Sequence, residues 1–326
     1  MAKKEAKKKE EEPPTHGWVF YTILVIVLLF VSIIIAGVIA VVLMATDVDQ
    51  GTIRKGTGNA ALITVDGVIT VGSPSPMFAD TGASATQIVD FIQTAAEDKS
   101  IVAIVIEINS PGGSPVASDE IGQALKDSGK PTVAYIREVG ASGGYWVASA
   151  ADYIFANRMS MTGSIGVIGA YPSFENILSK YNITYNRIVS GKYKDMGSPL
   201  KELQNDERQL IMQTVNQIHN MFVEEVANNR NLPLSQVQKL ATGQVYTGAE
   251  AVELKLIDAI GGQKEAKEYL EETLNKDIEL SKYERRSNLF ELFAASMQDN
   301  FFSIGRGIGS SITEQKNSQT ALQVWT

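Results

Sequence analysis

The chain has 326 residues, of which 44% are hydrophobic and 20% charged, and its formal net charge is −8. That length supports one large domain or two small ones around a sizeable core, while an acidic chain with no basic patch beyond its N-terminal tail excludes broad nucleic-acid binding. There is no cysteine, which excludes disulfides, thiolate nucleophiles, cysteine zinc sites and lipidation through cysteine.

The first predicted element is a membrane span. From Trp18 to Ala45 the run WVFYTILVIVLLFVSIIIAGVIAVVLMA carries no charge. As a helix it measures about 42 Å, more than the ~30 Å hydrocarbon core, so a tilted span fits. A cleaved signal peptide is the competing reading, but its apolar region is usually ~7–15 residues long and no small-x-small cleavage site follows this run. An uncleaved anchor over 18–45, in contact with membrane lipid, is therefore expected. Lys3, Lys4, Lys7, Lys8 and Lys9 precede it, whereas Asp47 and Asp49 follow it with no cation before Arg54. Counting Lys and Arg alone puts the short tail in the cytoplasm and the bulk of the chain outside.

Beyond the anchor, residues 46–59 read as a polar linker. ALITVDGVIT (61–70) reads as a strand, GSPSPMFADTGA as an irregular loop, and ATQIVDFIQTAAED as an amphipathic helix. SIVAIVIEINS (100–110) is β-branched and nearly continuous in apolar residues, as a buried strand is, and it runs into Pro111-Gly112-Gly113. A helix over about 115–127 and a strand over 131–139 follow, and the segment after Ser142 opens another helix. DYIFANR, SIGVIGAY and TYNRIVS read as further short strands. A long amphipathic helix is predicted over 206–231, its stripe of Leu210, Ile211, Val215, Ile218, Met221, Phe222 and Val226 facing the core. Helices near 234–241, 247–255 and 263–275 complete the pattern. Alternating strands and helices predict an α/β domain with a largely parallel sheet. From Ser281 onward the chain is less regular and reads as a frayed tail that ends on ALQVW, with a docked segment as the alternative.

The chemistry-bearing residues sit at two strand ends. Loops at the carboxyl edge of a parallel sheet are where α/β proteins build their sites. Gly140-Ala141-Ser142-Gly143-Gly144 fits the G-x-S-x-G pattern of a nucleophilic serine on a tight turn. The N–H of Gly143, with that of Gly112 or Gly113, would form an oxyanion hole beside Ser142. The plainer reading is a tight turn and a helix start, with Ser142 near an N-cap.

A serine nucleophile needs a base. His16 precedes the span and falls on the other side of the membrane, and His219 lies mid-helix, where histidines are more often surface or packing residues than triad members. A lysine serves in Ser–Lys variants, provided desolvation without a counter-ion brings its pKa from ~10.4 toward ~7–8. RIVSGKYKDMGSP offers Lys192 and Lys194, and spacing does not separate them. MTGSIGVIG offers an orienting hydroxyl at Thr162 or Ser164, against a strand-initiating turn as the plain alternative.

Taken together, INSPGG, GASGGYWVASAAD, MTGSIGV, SGKYKDMGSP and GQVYTGAEAVELKLID resemble the SppA-type signal peptide peptidases, relatives of the Clp protease and crotonase folds. The similarity runs from about Ala60 to Gly262, with several separate motifs in the family's order. The resemblance implies that Ser142 is the nucleophile, Lys194 the general base, Ser164 the residue that orients the lysine, and the Gly113 and Gly143 N–H groups the oxyanion hole. It also implies a ring or dome of subunits in which a neighbour can supply the lysine. One departure is visible: where the family often reads LGLID, this chain has Leu254-Lys255-Leu256-Ile257-Asp258, which bears on the local turn geometry.

The expectation is therefore a Clp protease/crotonase-like α/β fold preceded by one transmembrane helix. Its parts are a cytoplasmic tail (1–17), an anchor (18–45), a linker (46–59), a peptidase domain (60–280) and a C-terminal extension (281–326). The expected activity is that of a Ser–Lys endopeptidase on remnant signal peptides and other extended hydrophobic peptides, on the outer side of the cell membrane and as a homo-oligomer. Neither metal nor nucleotide is implied. A crotonase-like enzyme acting on an acyl thioester, and a catalytically silent peptide-binding scaffold of the same fold, are the alternatives.

Overall fold

The computed structural model describes residues 16–46, 53–72 and 82–285. The lysines of the tail, Asp47 and Asp49, most of the loop before Gly82 and the C-terminal stretch from 286 through ALQVW lie outside the described residues. Two units are described separately: an N-terminal helix, and a compact α/β unit that begins at Ile53 and includes Glu284.

The helix, α1 (His16–Thr46), carries an apolar span at Phe20–Val38 with mean hydropathy 2.9. It is the one helix among the described residues long and apolar enough to cross a membrane.

The α/β unit opens with β1 (Ile53–Lys55), inside the stretch read as linker, then β2 (Ala60–Asp66), β3 (Val68–Thr70), β4 (Gly82–Ser84) and α2 (Ala85–Glu97). Next come β5 (Ala103–Ser110), α3 (Pro115–Asp127), β6 (Thr132–Ala141), α4 (Gly143–Ser149), β7 (Tyr153–Ala156) and β8 (Met161–Gly163). The remainder is mostly helical: α5 (Glu175–Lys180), α6 (Asn205–Asn229), α7 (Leu234–Leu240), β9 (Val245–Thr247), α8 (Gly248–Glu253), β10 (Ala259–Ile260), α9 (Gln263–Leu274) and β11 (Leu280–Arg285).

Among the described residues the main sheet runs β1-β11-β2-β5-β6-β7-β10, with β8 on the far end of β6 and β9 on β8. Every pairing from β11 to β10 along that path is parallel; β9 runs antiparallel to β8. The two-residue period of a strand sorts the core onto two faces. Ala61, Ile63 and Val65 of β2 and Ile104, Ile106 and Ile108 of β5 pack with α2, α3 and α4, while Leu62, Ala103, Val105 and Val133 face Ala266 and Leu270 of α9. α4 is buried along its whole length, and its Trp146 stacks on Phe222 of α6 with ring centroids 4.6 Å apart.

Three sequence expectations are corrected. The strand over 61–70 is broken at Gly67, whose φ of 77° turns the chain out of the main sheet so that β3 pairs with β4 instead. SIGVIGAY and TYNRIVS form no strand: their β-branched residues lie on no neighbouring strand, and Ile168 and Ile188 are 91% and 95% exposed. The stripe of α6 reaches the core only in its second half, at Phe222, Val223, Val226 and Ala227.

The LKLID turn carries a measurable strain. Lys255 stands at φ 61°, the left-handed conformation that glycine adopts without cost. The turn is held all the same. The Asp258 carboxylate accepts from the Ile154 N–H at 2.8 Å and pairs with Arg230 at 2.7 Å and 3.0 Å, while the Leu256 carbonyl accepts from the Tyr145 hydroxyl at 2.7 Å. Lys255→Gly is expected to raise stability by about 0.5–1 kcal/mol, the relief of left-handed strain less glycine's extra chain entropy. Lys255→Val should lower it. Denaturant midpoints of the two variants check both signs.

Candidate active site

The site is built where β6 outlasts its neighbour. β6 pairs with β7 from Val133 to Ile136, then with β8 from Val139 to Ala141. Ser142 follows at once. Its N–H donates to the Gly163 carbonyl at 2.8 Å and its carbonyl accepts from the Trp146 N–H at 2.9 Å. Its backbone stands at φ 53°, ψ −122°, and its side chain makes no capping hydrogen bond, so the hydroxyl is left free. A non-glycine residue is strained there. Such a strained strand-to-helix turn is what presents the serine of a G-x-S-x-G sequence.

The PGG turn meets this corner from β5. Ile69 of β3 donates its N–H to the Gly112 carbonyl at 2.9 Å and accepts from the Ser114 N–H at 2.8 Å. In a parallel bridge of this kind the residue between, Gly113, directs its own N–H away from β3. The Gly112 N–H is already used, since it donates to Ser110 Oγ at 3.1 Å. This separates the two glycines that sequence left equivalent. The Gly143 N–H is the first of α4 and has no acceptor within that helix.

The Gly113 and Gly143 groups are adjacent: a Cβ built on Gly143 would stand 3.2 Å from Gly113 N. No side chain fits in this corner. A Cβ on Gly143 would meet Ser118 Oγ at 2.3 Å, one on Gly144 the Ser110 carbonyl at 2.6 Å, and one on Gly113 the Ile69 carbonyl at 2.1 Å. Two N–H groups and a serine hydroxyl that lack partners among the described residues, set side by side, are what an oxyanion hole and its nucleophile require.

A cleft of about 650 Å³ opens over these residues. Ser142, Gly143, Gly113 and Ser164 line it together with Trp146, Val215, Ile218 and Phe222. Ser164, at φ 51°, is fixed by donating its N–H to the Gln244 carbonyl at 2.8 Å. Thr162 is buried and donates its hydroxyl to the Gly140 carbonyl at 2.8 Å. Of the two hydroxyls left open by sequence, Ser164 faces the cleft and Thr162 ties down the strand end. A larger hollow, about 930 Å³, lies on the α9 face around Glu107, Tyr135, Arg137 and Glu265 and contains none of these residues.

His219 is the residue that sequence reasoning set aside. It does lie mid-helix, yet it lines the Ser142 cleft, with Nε2 3.1 Å from the Ala241 carbonyl. The signal was present: Val215, Ile218, His219 and Phe222 follow the i, i+3, i+4, i+7 spacing of one helix face.

Lys194 is exposed and is not among the residues lining the cleft. Its loop is held by charge. Arg187 grips Asp195 at 2.6 Å and 2.9 Å and donates to the Lys192 carbonyl at 2.8 Å. Lys192 pairs with Asp206 at 2.5 Å, and Lys201 with Glu207 at 2.5 Å. Asp206 thereby raises the Lys192 pKa and Glu207 that of Lys201, while Arg187 holds the Asp195 carboxyl, and Lys201 the Glu207 carboxyl, below the ordinary range. Of the four basic residues from Arg187 to Lys201, Lys194 alone has a side chain with no partner among the described residues. That distinguishes it from Lys192, which spacing did not.

The chain matches the model of peptidase family S49 over residues 124–277. It is 32% identical over 231 residues to a protein of Methanocaldococcus jannaschii named as a candidate protease, covering 69% of this chain and 72% of that one. It is 32% identical over 227 residues to a candidate signal peptide peptidase SppA of Enterococcus faecium, covering 68% and 66% respectively. A chloroplastic serine protease SPPA of Arabidopsis thaliana is 33% identical over 235 residues, which is 70% of this chain but only 33% of the plant protein. A mixed α/β unit with a mostly parallel sheet fits that family, and the chain belongs to peptidase family S49, the SppA-type serine peptidases.

Proposed function

We propose that the chain is a membrane-anchored endopeptidase with Ser142 as nucleophile and Lys194 as general base, acting on remnant signal peptides and other extended hydrophobic peptides. The observation that carries it is the free Ser142 hydroxyl on its strained turn beside the unpaired Gly113 and Gly143 N–H groups. In this reading α1 is an uncleaved anchor, with the cytoplasm on its N-terminal side and the α/β unit outside. The apolar wall of the cleft, with Trp146, Ile218 and Phe222, suits a hydrophobic peptide.

The reaction is acyl transfer. Neutral Lys194 takes the Ser142 proton, and the hydroxyl oxygen bonds to the peptide carbonyl carbon, whose oxygen becomes the oxyanion held by the two N–H groups. Collapse breaks the C–N bond, with Lys194 returning the proton to the leaving amine. Water, deprotonated by the same amine, then adds to the ester, and Ser142 leaves with its proton restored. Ser164 orients the lysine.

An exposed Lys194 is reconciled with this chemistry by a second subunit. The exposure of the segment between Ser164 and Lys201 supports that reading: α5 buries none of its residues, and Ile168, Tyr181, Ile183 and Ile188 are exposed. Exposed apolar side chains gathered along one segment are what a contact with another molecule would cover. A neighbouring copy laid on it would deliver Lys194 to the partner's serine and exclude the water that keeps an amine charged.

Ser142→Ala and Lys194→Ala are each expected to lower kcat on a hydrophobic peptide ester by at least ~10³-fold, with Lys192→Ala retaining activity. Mixing the two inactive variants should restore a measurable fraction if the lysine crosses between subunits. Full activity in both single variants would end the dyad proposal, and a wild type silent toward every peptide would favour the scaffold. Gly113→Ala should lose comparable activity, because its Cβ displaces β3 from the PGG turn.

The lysine loop should also respond to acid. Asp195 and Glu207 have folded pKa values below their unfolded ones. Their contribution is complete above about pH 4.3 and is lost as pH falls through the folded values. Amide protection factors between 187 and 207, corrected for the intrinsic slowing of exchange in acid, should fall below about pH 4 before those of the sheet do.

A further inference from the structure

Nothing in the acyl-transfer chemistry uses His219, although it lines the same cleft as Ser142. Its hydrogen bonding is decisive about its tautomer. A carbonyl oxygen can only accept, so the contact of 3.1 Å with the Ala241 carbonyl puts the hydrogen on Nε2. In that tautomer the lone pair is on Nδ1. That is its only hydrogen bond among the described residues, and Nδ1 is not one of the buried unpartnered atoms. Nδ1 is thus an accessible acceptor without a partner.

Its surroundings give that acceptor a meaning. The cleft has an apolar side, lined by Trp146, Val167, Ile168, Val215, Ile218 and Phe222, and a polar side that includes Ser142, Ser164, Asn216 and Thr242. The ring is also held in place: Ala241 ends α7, whose last carbonyl it caps, and α6 is anchored by the Trp146–Phe222 stack one turn further on. A fixed acceptor in a cleft with an apolar side selects a side chain that is apolar in body and carries an N–H or O–H at its tip.

We infer that His219 is a specificity-determining residue. Its Nδ1 accepts a hydrogen bond from the tip of an aromatic side chain of the bound peptide, so that tyrosine is favoured over phenylalanine at the position occupying this cleft. The inference rests on reading Ser142 as the peptidase nucleophile. The simpler role, a cap on α7 and nothing more, predicts a loss of stability and no change in selectivity.

The test uses the full-length protein and hydrophobic peptides that differ only by phenylalanine or tyrosine, scanned one position at a time around the scissile bond. At one position wild type should show a tyrosine-to-phenylalanine ratio of kcat/KM on the order of tenfold, the size of one net hydrogen bond. His219→Leu should bring that ratio to one. His219→Asn, whose amide oxygen approximates the Nδ1 position, should retain most of it. The same ratio is read as relative affinity on the Ser142→Ala protein, with and without His219→Leu. This keeps the comparison open if the leucine variant turns over poorly, and it separates the two readings: an inactive wild type overturns the peptidase assignment, whereas the binding ratio tests His219 alone. A ratio near one at every position in wild type, or one unchanged in His219→Leu, would overturn the inference.

Discussion

The closeness of the carboxyl ends of β5 and β6 is the constraint on which the rest depends. Ser110 pairs with Gly140 across that junction, after a register irregularity that begins at Ile108. Its carbonyl then leaves no room for a side chain on Gly144, just as Ser118 Oγ leaves none on Gly143. Backbone therefore packs against backbone, and two N–H groups end side by side with no acceptor. Ser142 is caught between a strand tied to Gly163 and a helix that is wholly buried. Its unfavourable φ, of order 1–3 kcal/mol, persists because both flanks over-determine it.

Much of this frame was legible in sequence, because a strand buried on both faces writes itself as a continuous apolar run. SIVAIVIEINS could hardly be anything else, and the helices from 205 onward follow their apolar spacing. What failed was what depends on a neighbour. SIGVIGAY and TYNRIVS have strand composition, but a strand is a pairing and not a property of one segment, and among the described residues neither segment joins a strand. Within ALITVDGVIT one glycine sufficed to divide a strand between two sheets. The alternatives left open at the site had the same origin. Gly112 differs from Gly113 through the hydrogen bond its N–H donates to Ser110 Oγ, and Lys192 from Lys194 through an ion pair with Asp206.

Helix α6 shows how one periodic pattern serves two environments. Its apolar stripe is continuous in sequence and was read as a single core face. In the fold, Phe222, Val223, Val226 and Ala227 are buried, while Val215 and Ile218 look into the Ser142 cleft. Periodicity identifies the face and says nothing about what lies opposite. A histidine on such a face is ambiguous for that reason: placed mid-helix it reads as packing, and only the empty space beside it makes it part of a site.

The lysine carries the same reasoning one step beyond the single chain. Every other cation of its loop is neutralised nearby, and this has two consequences. The pairs tie the loop together, and among the described residues they leave Lys194 without a carboxylate partner. An ammonium in water is well solvated, whereas taking a lone one into an apolar contact costs several kcal/mol. In the proposed reading a neighbouring copy laid over Lys194 excludes water from its amine, and acyl transfer requires that amine neutral. In the proposed assembly, subunit contact and activation of the base are therefore one event.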